Sequence, residues 1–120
     1  MPIDWSERAP GIWVDTRVIG DVAILQVKGV LPQHDYTLVG AMRQQLADGH
    51  RRILVNLQEI RHTGDYGIAN LVTCYVEIKN VGGAMKLVAN DYIEDVLQMT
   101  HLHLVFNLHP TEEDALTTAW

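Results

Sequence analysis

The chain has 120 residues, of which 48% are apolar and 20% charged, with a formal net charge of -6. That size and balance fit one globular domain with a core of its own, and the acidic surplus argues against nucleic acid and against an anionic membrane surface. A single cysteine, Cys74, excludes an internal disulfide and suits a reducing compartment, so with no leader-like N-terminus and no membrane-length apolar run the expected location is the cytoplasm.

Residues 1–11 form an N-terminal extension ahead of a core expected over about 12–117, with no repeat or linker dividing it. Ile12 to Ile19 reads as a strand, closed by the turn signal Gly20-Asp21. Val22 to Val30 is β-branched and nearly continuous in apolar character, as a central strand should be, and Pro32 breaks it. Asp35 is placed to cap a helix from Tyr36, where Leu38, Met42 and Leu46 recur at helical spacing and Gly49 closes the end. Arg52 to Leu57 is the next strand, and the residues up to Gly64 read as a short connection.

A helix from about Asp65 to Val81 follows, with Ile68, Leu71, Val72, Tyr75 and Val76 on its apolar face and Gly82-Gly83 ending it. Met85 to Ala89 is a further strand. Asp91-Tyr92-Ile93-Glu94 has the form of a capping box, with Ile93, Val96 and Leu97 on the buried side. Leu102 to Phe106 reads as a short edge strand, and Thr111-Glu112-Glu113-Asp114 caps a last helix that buries Leu116. The order is ββαβαβαβα. Strands joined through helices pair in parallel and the first two, across a tight turn, antiparallel. The expected fold is therefore a single α/β domain with a mixed sheet of four to five strands and helices mainly on one face.

This order, with Gly29-Val30-Leu31, Gly49-His50-Arg51-Arg52-Ile53, Asn56-Leu57, Gly82-Gly83, Met85-Lys86-Leu87-Val88 and Leu97-Gln98-Met99-Thr100-His101-Leu102, resembles the STAS domain of bacterial anti-sigma factor antagonists. The likeness runs from about Asp21 to Leu116. It implies a non-enzymatic, cytoplasmic regulator of transcription that works by partner switching on a kinase-like anti-sigma factor. In that family the loop before the second helix carries Asp-Ser-Ser-Gly or Asp-Ser-Thr-Gly, whose first hydroxyl is phosphorylated by the partner. Aligned on its glycine, this chain has Gly64-Asp65-Tyr66-Gly67. Asp65 is thus the phosphosite-equivalent position and offers no hydroxyl; Pro32 likewise stands where an acidic residue is common.

The resemblance makes Thr63, Gly64, Asp65, Tyr66 and Gly67 the expected partner-binding surface, facing a kinase-like anti-sigma factor or related STAS proteins. Asp65 reads in two ways: as a good N-cap, typically stabilising by about 1 kcal/mol, or as a fixed charge where relatives add a phosphate of roughly -1.5 to -2. Tyr66 reads as an aromatic anchor for a partner, or as a ring folded onto His62 or Ile60. Tyr92, on another helix, is expected to lie outside this surface. Thr63 is the nearby hydroxyl, offset by two residues from the family position.

A small-ligand module, holding an anion or lipid headgroup at the helix end, is the alternative reading, as is a scaffold subunit of a signalling assembly. An enzyme is the least supported. His101, His103 and His109 lack the companion ligands of a metal site and read as solvated surface residues, so no metal or cofactor is expected. Cys74 reads as a small buried hydrophobe; a triad with His62 and Asp65 fails because Cys74 lies roughly 13 Å along the helix at about 1.5 Å per residue.

Overall fold

The computed structural model describes residues 12–31, 36–63 and 65–120, with the side chains of Leu31, Asp65 and Tyr66 outside that description. Strands β1 (Ile12–Ile19) and β2 (Val22–Leu31) form an antiparallel hairpin in unbroken register, from Ile12 opposite Gly29 to Ile19 opposite Val22. Gly20, at φ 62°, supplies the positive φ that this two-residue turn requires. Pro32 and Asp35 lie outside the described residues. The helix α1 (Thr37–Ala47) has Tyr36 at its N-cap with no side-chain bond, so it starts one residue later than the sequence reading placed it. Its end is a Schellman closure: the N–H of Gly49 donates to the Leu46 carbonyl and that of His50 to the Gln45 carbonyl, each at 3.0 Å, with Gly49 at φ 95°.

Strand β3 (Arg52–Thr63) is twice as long as the strand read from the sequence, and the expected short connection is its second half. The reason is visible in the pairing with β2. Gln26 faces Asn56, but Lys28 faces Glu59 and Val30 faces His62, so β3 gains an extra residue at each of two irregularities. Leu57, Ile60 and Thr63 are consequently the buried residues of that half, spaced by three. The alternation that marks a strand in a sequence is erased there.

Helix α2 (Asp65–Asn80), strand β4 (Ala84–Val88), helix α3 (Asp91–Met99), strand β5 (Asn107–His109) and helix α4 (Glu112–Thr117) complete the chain. The sheet order is β1-β2-β3-β4-β5, parallel everywhere except the first pair. This is the expected α/β domain. Helices α1, α2 and α3 cover one face, packing Leu38, Met42, Leu71, Cys74, Ile78, Ile93 and Leu97 on Ala23, Leu25, Val27, Ile53, Val55, Leu57 and Leu87. Helix α4 covers part of the other, setting Ala115 and Leu116 on Val22, Ile24, Leu54 and Val88. Within α2 the inward stripe is Ile68, Leu71, Cys74 and Ile78; Val76, expected on that face, is 46% exposed.

Two boundaries differ from expectation for local reasons. The cap of α3 is Asn90, whose side chain accepts a 2.7 Å bond from the Ile93 N–H, so Asp91 is the first helical residue instead of the cap. Leu102 to Phe106 is not a strand. His101 takes a left-handed conformation (φ 61°), a 3₁₀ turn follows over Leu102–Leu104, and the N–H groups of Val105 and Phe106 both donate to the Leu102 carbonyl. Those local bonds replace a ladder and turn Phe106 inward, edge-on to Tyr75 at 5.7 Å between ring centres. The ladder is made instead by Asn107 to His109, opposite Lys86 to Val88.

The α4 face holds a lysine that the sequence does not announce. Lys86 is 1% exposed, and its Nζ donates to the carbonyls of Ala115 (2.7 Å) and Thr118 (2.9 Å) at the open end of α4. It also lies 4.5 Å from the centre of the Trp120 ring. Burial pulls its ammonium below the usual lysine range, opposed by nearby Asp114.

Candidate partner-binding site

The site begins where β4 stops. The β3–β4 ladder ends at Asn56 opposite Val88, yet β3 runs on to Thr63. Its edge on that side must find other partners, because buried backbone groups left unbonded are costly. The start of α3 supplies them. The Asn90 amide donates to the carbonyls of Gln58 (3.0 Å) and Ile60 (2.8 Å) while its oxygen caps α3. The Tyr92 hydroxyl accepts from the Thr63 N–H at 3.0 Å and donates to the Thr63 carbonyl at 3.3 Å. One polar turn therefore anchors the strand that delivers the chain to α2.

Thr63 is 7% exposed and closes β3. Gly64 lies outside the described residues. Asp65 and Tyr66 open α2, and Gly67 is buried in its first turn. The backbone thus brings the expected site residues to one strand-to-helix junction. It also brings Tyr92 there, contrary to the expectation that Tyr92 lies apart. Asn90 and Tyr92 are the residues the sequence reading missed; an asparagine directly before the supposed capping box was the available signal.

Beyond the junction, the solvent side of α2 carries Ala69, Val76 and Asn80, with Thr73 half-buried between them, and its exposed charge is Lys79 in the last turn. Charge sits to its flank, where Arg43 of α1 and Glu77 form two 2.7 Å bonds that hold the Glu77 carboxyl below its usual range. Cys74, on the inner side of the same helix, is fully buried, and burial pushes its thiol up to about 12, with Glu77 adding to the effect. It is a packing residue with no thiolate to offer.

A crevice of about 470 Å³ opens beside the junction, between the start of α3 and the end of β5, lined by Gln58, Asn90, Asp91, Glu94, His109 and Pro110 among others. Its amides are spent on the protein itself, since Gln58 donates to the Pro110 carbonyl at 2.8 Å. The carboxylates of Asp91 and Glu94 in the first turn of α3 oppose any anion there. His109, read from the sequence as a surface histidine, is 7% exposed because the strand falls on it; its Nδ1 is 2.6 Å from Asp114.

The sequence matches the STAS domain family model over residues 14–115. The chain belongs to the STAS domain family. The fold agrees with solved structures of low identity. An anti-sigma factor antagonist from Mycobacterium paratuberculosis superposes with a TM-score of 0.79 at 24% identity, over 89% of this chain and 92% of that one. SpoIIAA, the cell fate determinant of Bacillus, superposes in its phosphorylated form at 0.66 and 17% identity, over 87% and 96% of the two chains. Its unphosphorylated form gives 0.66 at 16% identity, over 87% and 94%. Among curated proteins no sequence matches this STAS domain. No described helix is long and apolar enough to cross a membrane.

Proposed function

We propose that this STAS domain is a non-enzymatic binding module of the anti-sigma factor antagonist kind, docking on a kinase-like anti-sigma factor through Thr63, Gly64, Asp65, Tyr66 and Gly67 and the exposed side of α2. The observation that carries the reading is the junction itself: a strand end fastened by Asn90 and Tyr92, leading into a helix whose outward side is uncharged until Lys79 in its last turn. A fixed backbone beside a weakly hydrated helix face favours protein docking, because little ordering is needed and little charge is desolvated. The solved relatives named as anti-sigma factor antagonists support the same direction.

Control by serine phosphorylation is absent in this reading. Asp65 stands at the phosphosite-equivalent position with no hydroxyl to modify, and Thr63, the neighbouring hydroxyl, is buried in β3. The domain then binds constitutively in the cytoplasm. Incubation with a cognate kinase-like partner and ATP tests this: a complex by titration calorimetry and an unchanged intact mass are expected. A phosphate on Thr63 or Tyr66, or no complex with any such partner, would overturn it.

A further inference from the structure

We propose that the outer edge of β1 is a self-association surface, on which a second copy of this chain adds its own β1, antiparallel and centred on Thr16. Strand β1 ends the sheet, and among the described residues no strand pairs with its outer side. From Asp15 to Ile19 every residue is exposed, including Val18 at 49% and Ile19 at 46%. Edge strands of folded domains are usually blunted by charged side chains, lysine above all, by proline or by a bulge. This one has no proline, lysine or bulge, its two charges, Asp15 and Arg17, are of opposite sign and can pair with a second copy, and its register with β2 is unbroken over eight residues.

The backbone fixes which residues could receive a partner. The two-residue turn makes Ile19 and Val22 a hydrogen-bonded pair. Alternation then directs the N–H and C=O of Val14, Thr16 and Val18 outward. A second β1 related by a two-fold axis at Thr16 sets Thr16 against its own copy and Val14 against Val18, all as hydrogen-bonded pairs. It sets Asp15 against Arg17 twice, as non-hydrogen-bonded pairs, where side chains approach most closely.

Charge selects this register over its neighbours. Centred on Asp15, the same geometry opposes two aspartates; centred on Arg17, it opposes two arginines. Like charges directly opposite are destabilising, and centred on Val14 or Val18 the strand leaves Asp15 or Arg17 against an apolar residue, so the Thr16 register is the one that pairs opposite charges. Asp15 has no ion pair among the described residues. Among the described residues Arg17 meets Glu112 through Nη2 alone, which leaves Nε and Nη1 able to donate to the partner's carboxylate. The occupant that fits is a second copy of this chain, and the patch is small enough that the dimer should be reversible.

Sedimentation equilibrium of the full chain over a wide concentration range tests the proposal. The expected result is a concentration-dependent dimer. Thr16→Pro should abolish it, because proline removes an outward N–H and no β1–β2 bond. Asp15→Arg should weaken it by about tenfold, through two new like-charge pairs. Thermal melts confirm that each variant folds. Should Thr16→Pro fail to fold, Thr16→Cys decides: mild oxidation should join two copies faster than it joins an Asp48→Cys control, with Cys74 buried and silent. A wild type that stays monomeric throughout, or variants that dimerise as it does, would overturn the proposal.

Discussion

The Tyr92 hydroxyl bonds both backbone groups of Thr63, accepting from its N–H at 3.0 Å and donating to its carbonyl at 3.3 Å. Helix α3 thereby holds the last residue of β3 in place, just before the candidate docking loop. Tyr92→Phe keeps the ring and removes only these bonds. It should lower stability by about 1–2 kcal/mol, the cost of leaving part-buried backbone groups unbonded. Denaturant melts measure that loss. Partner affinity should fall as well, since the loop loses its anchor; unchanged stability would show that water replaces the hydroxyl without penalty.

Tyr66 should behave differently. If it anchors a partner, Tyr66→Ala weakens binding by about 2 kcal/mol or more, the usual hot-spot threshold, with little change in melting temperature. Calorimetry beside melting curves separates the two effects. Asp48→Ala, at the far end of α1, is the control and should leave both unchanged. Parallel losses of stability and affinity at Tyr66 would show that its ring packs inward.

At Asp65 the contest is between a cap and a charge. Asp65 is the first residue of α2, whose leading N–H groups have no partner within the helix. Asp65→Ala should destabilise the domain by about 0.5–2 kcal/mol, and Asp65→Asn by far less, if the side chain caps the helix. Equal losses would assign the effect to charge against the helix dipole. Chemical denaturation of both variants decides.

The sequence carried the element order and most boundaries because the signals were local and strong. Ile12 to Ile19, the Gly49 and Gly82-Gly83 helix ends and the Thr111 cap fall where their residues place them; the Thr111 hydroxyl accepts from the Asp114 N–H at 3.0 Å. Failures came where tertiary structure changed the period. The bulges in β3 turn an alternation of two into a spacing of three at Leu57, Ile60 and Thr63. The left-handed His101 diverts Leu102 to Phe106 from a strand into a turn. The junction was legible as a strand end meeting a helix; its fastening by Asn90 and Tyr92 was not, because contacts between residues some thirty apart leave no local pattern.

Lys86 offers a test of the opposite face. Lys86→Ala removes the packed stem and leaves the Ala115 and Thr118 carbonyls without their donor, so a loss of about 2–4 kcal/mol is expected. Lys86→Met keeps the stem and ends a charge burial, so it should cost less, about 1–2 kcal/mol from the two lost bonds. Near-neutrality of Lys86→Met would mean that desolvation of the ammonium cancels those bonds. Tryptophan fluorescence of Trp120, whose ring the ammonium faces, should change in both variants, although Trp5 and Trp13 also contribute to the signal.

Glu112 sets an acid limb on stability. Burial raises its carboxyl pKa, but bonds from Arg17 and from the Asn56 amide, the latter at 2.6 Å, outweigh burial and hold the group below its usual range. A folded pKa below the unfolded one means that the native state binds fewer protons across the interval between them. The stabilisation is therefore fully present above the unfolded value, about 4.3 for glutamate, and is lost as pH falls through the folded value. Glu112→Gln should destabilise the domain at neutral pH and flatten the decline of stability below about pH 4.3, so the two proteins converge in acid. Arg17→Met should act in the same direction, since it removes the first of the two opposing donors. Denaturant titrations at several pH values measure the difference between wild type and variant, which cancels shared carboxylates such as Glu77. A gap that stayed constant from neutral to acid pH would show that Glu112 holds β1 and α4 together by packing and not by charge.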